Sequence, residues 1–297
     1  MVVRLQKFIC MVLALSLITA GMGVAEANAE SSVRNPPEVN QGWQFSTLRG
    51  NCTIGYNDPD NRISYTAGHC AHGVSRVYLT KEDGKGNQRW IHAGNISLAP
   101  SYDERTTSND WAIIRWKDGV TINPNTFDRD GIEPIEKVHR GQKICFHGHT
   151  SHGALGKSDC GRVIGTIGNK VLMETSKSAL NGDSGGPVYL PRRGLVGVLS
   201  TSFEITDRFG RKRYVVTGNV PAEGPIVSTA EESALINKYF GSHVNIQEQD
   251  LDPGSSFMNV LGVLGFSDPE GAAIGLVLGG VALGGLIFGA ILHAFMQ

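Results

Sequence analysis

Between residues 42 and 246 the apolar residues come in short runs, broken by Gly, Asn, Asp or Ser. Runs that short fit strands, because a packed helix needs apolar residues at helical spacing over roughly 10–12 positions. Candidate strands fall at 62–66, 76–80, 90–93, 111–116, 143–146, 162–167, 171–174, 187–190, 195–200 and 214–218, recurring every 8–20 residues with turn residues between them. That rhythm predicts an all-β barrel or sandwich. The 38 glycines in 297 residues fit the same reading, at about 13% against a usual 7% or so. One helix is expected, over 230–240: Ser228 and Thr229 are followed three residues later by Glu231 and Glu232, and Gly241 stops it. No internal repeat is visible.

The two ends have a different character. Arg4 and Lys7 precede an uncharged apolar run over 8–24, and Ala27-Asn28-Ala29 offers a small-x-small cleavage site. Residues 1–29 are therefore expected to be an export signal. Near the other end, 272–292 is a stretch of 21 residues without charge, eleven of them Leu, Ile, Val or Phe. This is about the length a bilayer core requires, and the eleven would contribute about −5 kcal/mol to insertion. A membrane helix is expected over 271–292, with 247–270 as linker and juxtamembrane segment and 293–297 as a short tail. Gly271, Gly275 and Gly279 lie four residues apart, a smooth seam through which a second helix can pack. The catalytic candidates described below would then lie outside the cell membrane, released as a soluble protein if the tail is removed. With 27 basic and 28 acidic residues the net charge is −1, which gives no case for nucleic acid as a partner and argues against long disorder.

Cys10 leaves with the signal, so Cys52, Cys70, Cys145 and Cys160 remain. An even number in an exported chain favours disulfides, and four cysteines permit three pairings. Pairing neighbours closes two loops of similar size. A zinc site is the competing use, since His147, His149 and His152 lie between the second pair. The cysteine spacing matches no usual zinc pattern, and neither a metal nor another cofactor is expected.

The most informative stretch is Asn181-Gly182-Asp183-Ser184-Gly185-Gly186-Pro187. Small neighbours expose the Ser184 hydroxyl and admit a substrate backbone. The N–H groups of Gly182 and Ser184 suit an oxyanion hole. A serine nucleophile needs a base, because its free hydroxyl is hardly ionised at neutral pH. Thr66-Ala67-Gly68-His69-Cys70 supplies His69 at the end of a strand. Asp110, just ahead of the apolar run 111–116, is placed to orient the imidazole and stabilise its charged form.

These three stretches, with Asn109-Asp110-Trp111-Ala112-Ile113-Ile114 as the second, resemble the signature regions of chymotrypsin-like serine proteases, in that family's order. The resemblance runs from about Cys52 to Gly241 and is nearest to the bacterial, streptogrisin-like branch. It implies two six-stranded antiparallel β-barrels with a short C-terminal helix. His69 and Asp110 belong to the first barrel and Ser184 to the second, with a peptide or protein as substrate. It also implies a pocket walled by Ser178-Ala179-Leu180 and Ser200-Thr201-Ser202. Trypsin-like members carry Asp where Ser178 stands, so cleavage after Lys or Arg is not expected. Glutamate-selective members carry His where Leu199 stands. A neutral, medium-sized or apolar side chain remains the expectation. No Ile-Val-Gly-Gly type of start is present to pair its freed amine with Asp183, leaving Arg34 or Arg49 as candidate partners and activity without proteolytic activation as the expectation.

Overall fold

The computed structural model describes residues 36–249, apart from 83–87, 128–129, 155, 208 and 242–243. The expected signal, the membrane span 271–292 with its seam Gly271, Gly275 and Gly279, and Arg34 lie outside these residues. Among the described residues no helix is long and apolar enough to cross a membrane.

The first half of the chain forms β1 (Glu38–Val39), β2 (Gln44–Thr47), β3 (Gly50–Thr53), β4 (Tyr56–Asp58), β5 (Ile63–Thr66), β6 (Arg76–Glu82), β7 (Gln88–Leu98), β8 (Ala112–Trp116) and β9 (Thr121–Ile122). The second half forms β10 (Lys143–Phe146), α1 (His149–His152), β11 (Asp159–Ile167), β12 (Lys170–Thr175), β13 (Pro187–Leu190), β14 (Gly194–Thr206), β15 (Lys212–Asn219), α2 (Thr229–Phe240) and β16 (Asn245–Gln249). All ten expected strands are present. β2, β3 and β4 escape sequence detection because they are short and polar, burying Ser46, Thr53 and Asn57 rather than an apolar run.

The first sheet has the order β3-β2-β6-β7-β8-β5-β4. Its end strands are consecutive stretches of one chain run. Ile54 N–H donates to Trp43 O and Gly55 N–H to Tyr65 O, each at 2.9 Å, so this run bonds both neighbours and closes the sheet. Residues alternate as closure demands. In β8, Ala112, Ile114 and Trp116 enter the core while Arg115 faces out. The second sheet runs β13-β10-β11-β12-β15-β14 and closes through β13 and β14, a six-stranded barrel, with β16 added on β14.

β12 does not alternate, and packing on both faces explains it. Val171 and Met173 fill the barrel interior, while Leu172 meets Ile236 of α2 on the outside. Burying Ile236 stabilises the helix contact by about 1.5–3 kcal/mol. The helix starts with the expected capping box, Ser228 with Glu231, and ends at Gly241 with φ of 91°. β16 corrects one boundary: the strand runs to Gln249, so the segment expected to begin a linker at 247 is still paired, with Gln249 opposite Ser202. Its polar Gln247-Glu248-Gln249 sequence carries no strand signal, because β14 supplies the ladder and the strand lies on the surface.

The two barrels meet through Tyr65, Ala99, Trp111 and Ile113 from the first and Val198 from the second. A polar clasp adds to this contact. Asn109 donates to Gly224 O at 3.0 Å and accepts from Asn169 at 2.9 Å, while Ser108 Oγ accepts from Val227 N–H at 2.9 Å.

Candidate active site

His69 opens a 3₁₀ turn three residues beyond the end of β5. β5 and β8 are antiparallel neighbours with Thr66 opposite Ala112, which brings His69 beside Asp110. The Cys52–Cys70 disulfide ties the histidine's turn to β3. Asp110 is fully buried, and its carboxyl is held by three hydrogen bonds. Oδ1 takes the His69 backbone N–H at 2.7 Å, while Oδ2 lies 2.8 Å from His69 Nδ1 and takes the Ser200 hydroxyl at 2.5 Å. Burial alone would raise this carboxyl's pKa. The facing imidazole and the hydrogen bonds from His69 and Ser200 outweigh it, holding the group below its ordinary value. With Asp110 as acceptor, Nδ1 carries the ring proton, and Nε2 is left as the basic nitrogen.

Ser184 comes from the turn before β13. Its carbonyl accepts Thr53 N–H at 2.8 Å and stands 4.0 Å from Cys70 Sγ, so the turn rests against the residue that follows His69. Gly182 and Gly185 have φ of 93° and 86°, and a Cβ on Gly185 would lie 1.9 Å from Thr66 Oγ1. Only glycine allows this turn to press onto the first barrel. Gly182 O accepts the Thr53 hydroxyl at 2.7 Å, fixing the turn a second time.

The expected pocket residues divide. Ser178 and Ser202 converge, their hydroxyl oxygens 3.1 Å apart, and Ala179 is buried beside them. Leu180 is half exposed. Ser200 turns away onto Asp110, and Thr201 onto Thr217 at 2.7 Å. Gln249 is an addition that no sequence signal marked: its Oε1 accepts from Ser178 Oγ.

Cys52–Cys70 and Cys145–Cys160 are disulfides, pairing neighbours along the chain. The histidines between the second pair are held by hydrogen bonds within the fold. His147 is buried, with Nδ1 2.6 Å from Lys157 O and Nε2 3.1 Å from Gly42 O. His149 and His152 belong to α1, and His152 Nε2 is 3.1 Å from Asp159 Oδ2. Asp183 is fully buried. Its carboxyl takes Ser151 N–H at 2.9 Å, Leu180 N–H at 2.8 Å and the Ser151 hydroxyl. Arg49 points elsewhere, donating to His72 O at 3.3 Å.

Comparison with known proteins places these features in context. The profile of the family described as Trypsin matches residues 35–216. An uncharacterized protein of Mycobacterium tuberculosis is 30% identical over 194 residues, covering 63% of this chain and 81% of that protein. Serine protease 1 of Homo sapiens is 27% identical over 195 residues, covering 58% of this chain and 74% of that protein. Among solved structures, Thermobifida fusca protease A aligns with a TM-score of 0.39 and 19% identity, covering 71% of this chain and 98% of that one.

Proposed function

The chain belongs to the trypsin family of serine proteases, and from that premise we propose that it is an active serine endopeptidase, exported and held at the membrane by residues 271–292. The observation that carries the catalytic reading is the His69–Asp110 pair, oriented by three hydrogen bonds and placed beside the Ser184 turn.

Ser184 Oγ attacks the peptide carbonyl while His69 Nε2 takes its proton. The same imidazolium then returns the proton to the leaving amine, and water repeats the sequence to release the acyl group. Asp110 stays ionised throughout, fixing the His69 tautomer and stabilising the imidazolium. Its lowered pKa suits that role. The N–H groups of Gly182 and Ser184 receive the developing oxyanion. Each such donor typically contributes about 10²–10³ in kcat. No cofactor enters this chemistry. The Ser178 and Ser202 hydroxyls, with Ala179 beside them and Leu180 half exposed, suit a neutral P1 side chain rather than Lys or Arg.

A fluorophosphonate probe tests the reading directly. Wild type should be labelled and should hydrolyse peptide substrates, and Ser184→Ala should do neither. A correctly folded wild type that resists the probe would identify instead a protease-like module that binds without cutting. Deleting residues 257–297 should move activity from the membrane fraction to the soluble one. Activity that stays in the membrane fraction would exclude an anchor in that segment.

A further inference from the structure

We propose that Ser151 is a positioning residue for the nucleophile turn, holding the Asp183 carboxyl so that Ser184 and the two oxyanion N–H groups stand ready without any freed chain terminus. The inference rests on the protease reading above and concerns what organises that site.

Asp183 adjoins Ser184 in sequence and is fully buried. A carboxyl taken out of water needs donors or a cation, since an unsatisfied buried polar group costs about 1–3 kcal/mol and a charged one more. Among the described residues no ion pair reaches Asp183. Its donors are the Ser151 N–H on Oδ1, the Ser151 hydroxyl on Oδ2, and Leu180 N–H on Oδ2 from within its own turn. Among the described residues, Ser151 therefore provides both of the contacts that reach the Asp183 side chain from outside the turn.

α1 is built to deliver them. Gly148 N–H donates to His152 Nδ1 at 3.1 Å, and His152 Nε2 meets Asp159 Oδ2 at 3.1 Å, bracing the helix from its far side. Cys145–Cys160 closes the loop that carries α1. Gly148 lies so close to the carboxyl that a Cβ there would stand 2.1 Å from Asp183 Cγ. A second link runs in parallel: His149 N–H donates to Thr53 Oγ1 at 3.0 Å, and Thr53 in turn donates to Gly182 O at 2.7 Å. The turn is thus gripped at Gly182 and at Asp183, on either side of the peptide that links them. Without the Ser151 hydroxyl, Oδ2 keeps only Leu180, and the carboxyl rotates toward solvent or toward new donors. Gly182 and Ser184 flank Asp183, so that rotation displaces both oxyanion donors.

Such displacement acts on the transition state more than on substrate binding. Full-length Ser151→Ala should lose about 10–100-fold in kcat, less than the outright loss of an oxyanion donor, with KM within about threefold of wild type. Fluorophosphonate labelling should slow in parallel. Ser151→Thr, which keeps the hydroxyl, should recover most of the kcat. A purely structural role would lower the amount of folded enzyme without changing kcat per labelled site. Extending or trimming the chain ahead of residue 36 should leave kcat unchanged, because no freed amine is needed. Wild-type kcat in a folded Ser151→Ala enzyme, or failure of Ser151→Thr to recover activity, overturns the inference while leaving the protease reading intact. If Ser151→Ala does not fold, Ser151→Cys, with its weak donor, takes its place, and wild-type kcat there overturns the inference equally. Wild type as inert as Ser184→Ala removes the protease reading, and the inference with it.

Discussion

Lys170 and Glu232 form a buried ion pair whose disruption should have a large and specific cost. Lys170 Nζ lies 3.0 Å from Glu232 Oε2, with side-chain exposures of 0% and 4%. The ammonium also donates to Thr106 O at 2.7 Å and Thr107 Oγ1 at 3.0 Å, joining β12, α2 and the loop that leads to Asp110. Lys170→Met keeps most of the volume but strands the Glu232 carboxylate. Removing one partner of a buried pair typically costs about 3–5 kcal/mol. The Thr106 carbonyl also loses a donor, adding about 1 kcal/mol. At about 2–4 °C per kcal/mol for a domain of this size, Tm should fall by roughly 8–24 °C. The double variant Lys170→Met/Glu232→Leu removes both charges and should recover most of that loss, since apolar replacement of a whole pair is often neutral or better. Urea unfolding followed by circular dichroism, in a Ser184→Ala background to prevent autolysis, measures all the corners of the cycle. A Lys170→Met cost below about 1 kcal/mol, or a double-variant cost equal to the sum of the singles, would refute the reasoning.

Four further outcomes can be checked. Asp110→Asn should keep the fold yet lose about 10⁴-fold in kcat near neutral pH, because the amide presents the wrong partner to His69 Nδ1; a loss under tenfold in steady-state assays would contradict this. Gly185→Ala should abolish activity and lower stability, since the new Cβ meets Thr66 Oγ1 at 1.9 Å and Thr53 O at 2.6 Å; near-native Tm and kcat would argue against the seating of the turn. Burial pushes the His147 imidazole's pKa down despite its carbonyl neighbours, so the unfolded chain takes up a proton that the folded one resists. Stability should therefore be lost as pH falls below about 6.5, and His147→Gln should flatten that slope between about pH 7 and pH 5 in urea titrations; an unchanged slope would count against it. Replacing Cys145 and Cys160 by alanine opens a loop with a sequence separation of 15 and should cost about 3 kcal/mol, with an added fall in kcat because the loop carries Ser151; unchanged kcat in the folded variant would separate α1 from the site.

Short apolar runs and turn residues were enough to mark ten strands, because those strands bury their own side chains. The helix over Thr229–Phe240 was equally legible, since its capping box and its stop at Gly241 are local. The motifs around His69, Asp110 and Ser184 were readable because the chemistry needs those residue types in those small-residue settings. What escaped depended on contacts far apart along the chain. β3 and β4 are polar and hold their place by pairing with β2 and β5, and β16 by pairing with β14. Ser200 lies in a stretch expected to wall a pocket, but the barrel contact turns its hydroxyl onto Asp110 from 90 residues away. His147 looks solvated among Gly, Thr and Ser, yet Gly42 and Phe127 enclose it. Arg34 and Arg49 are the partners the sequence offers Asp183 in place of a freed amine; Arg34 lies outside the described residues, and Arg49 donates to His72 O. Among the described residues, folding brings Asp183 a serine 32 residues upstream, whose single side chain gives no signal until a helical turn aims it. The sequence by itself determined the β architecture and marked the three candidate catalytic groups, through local propensity and local chemistry. Tertiary structure alone decided which distant donors hold those groups in place, because a hydrogen bond between remote residues leaves no periodic trace in the chain.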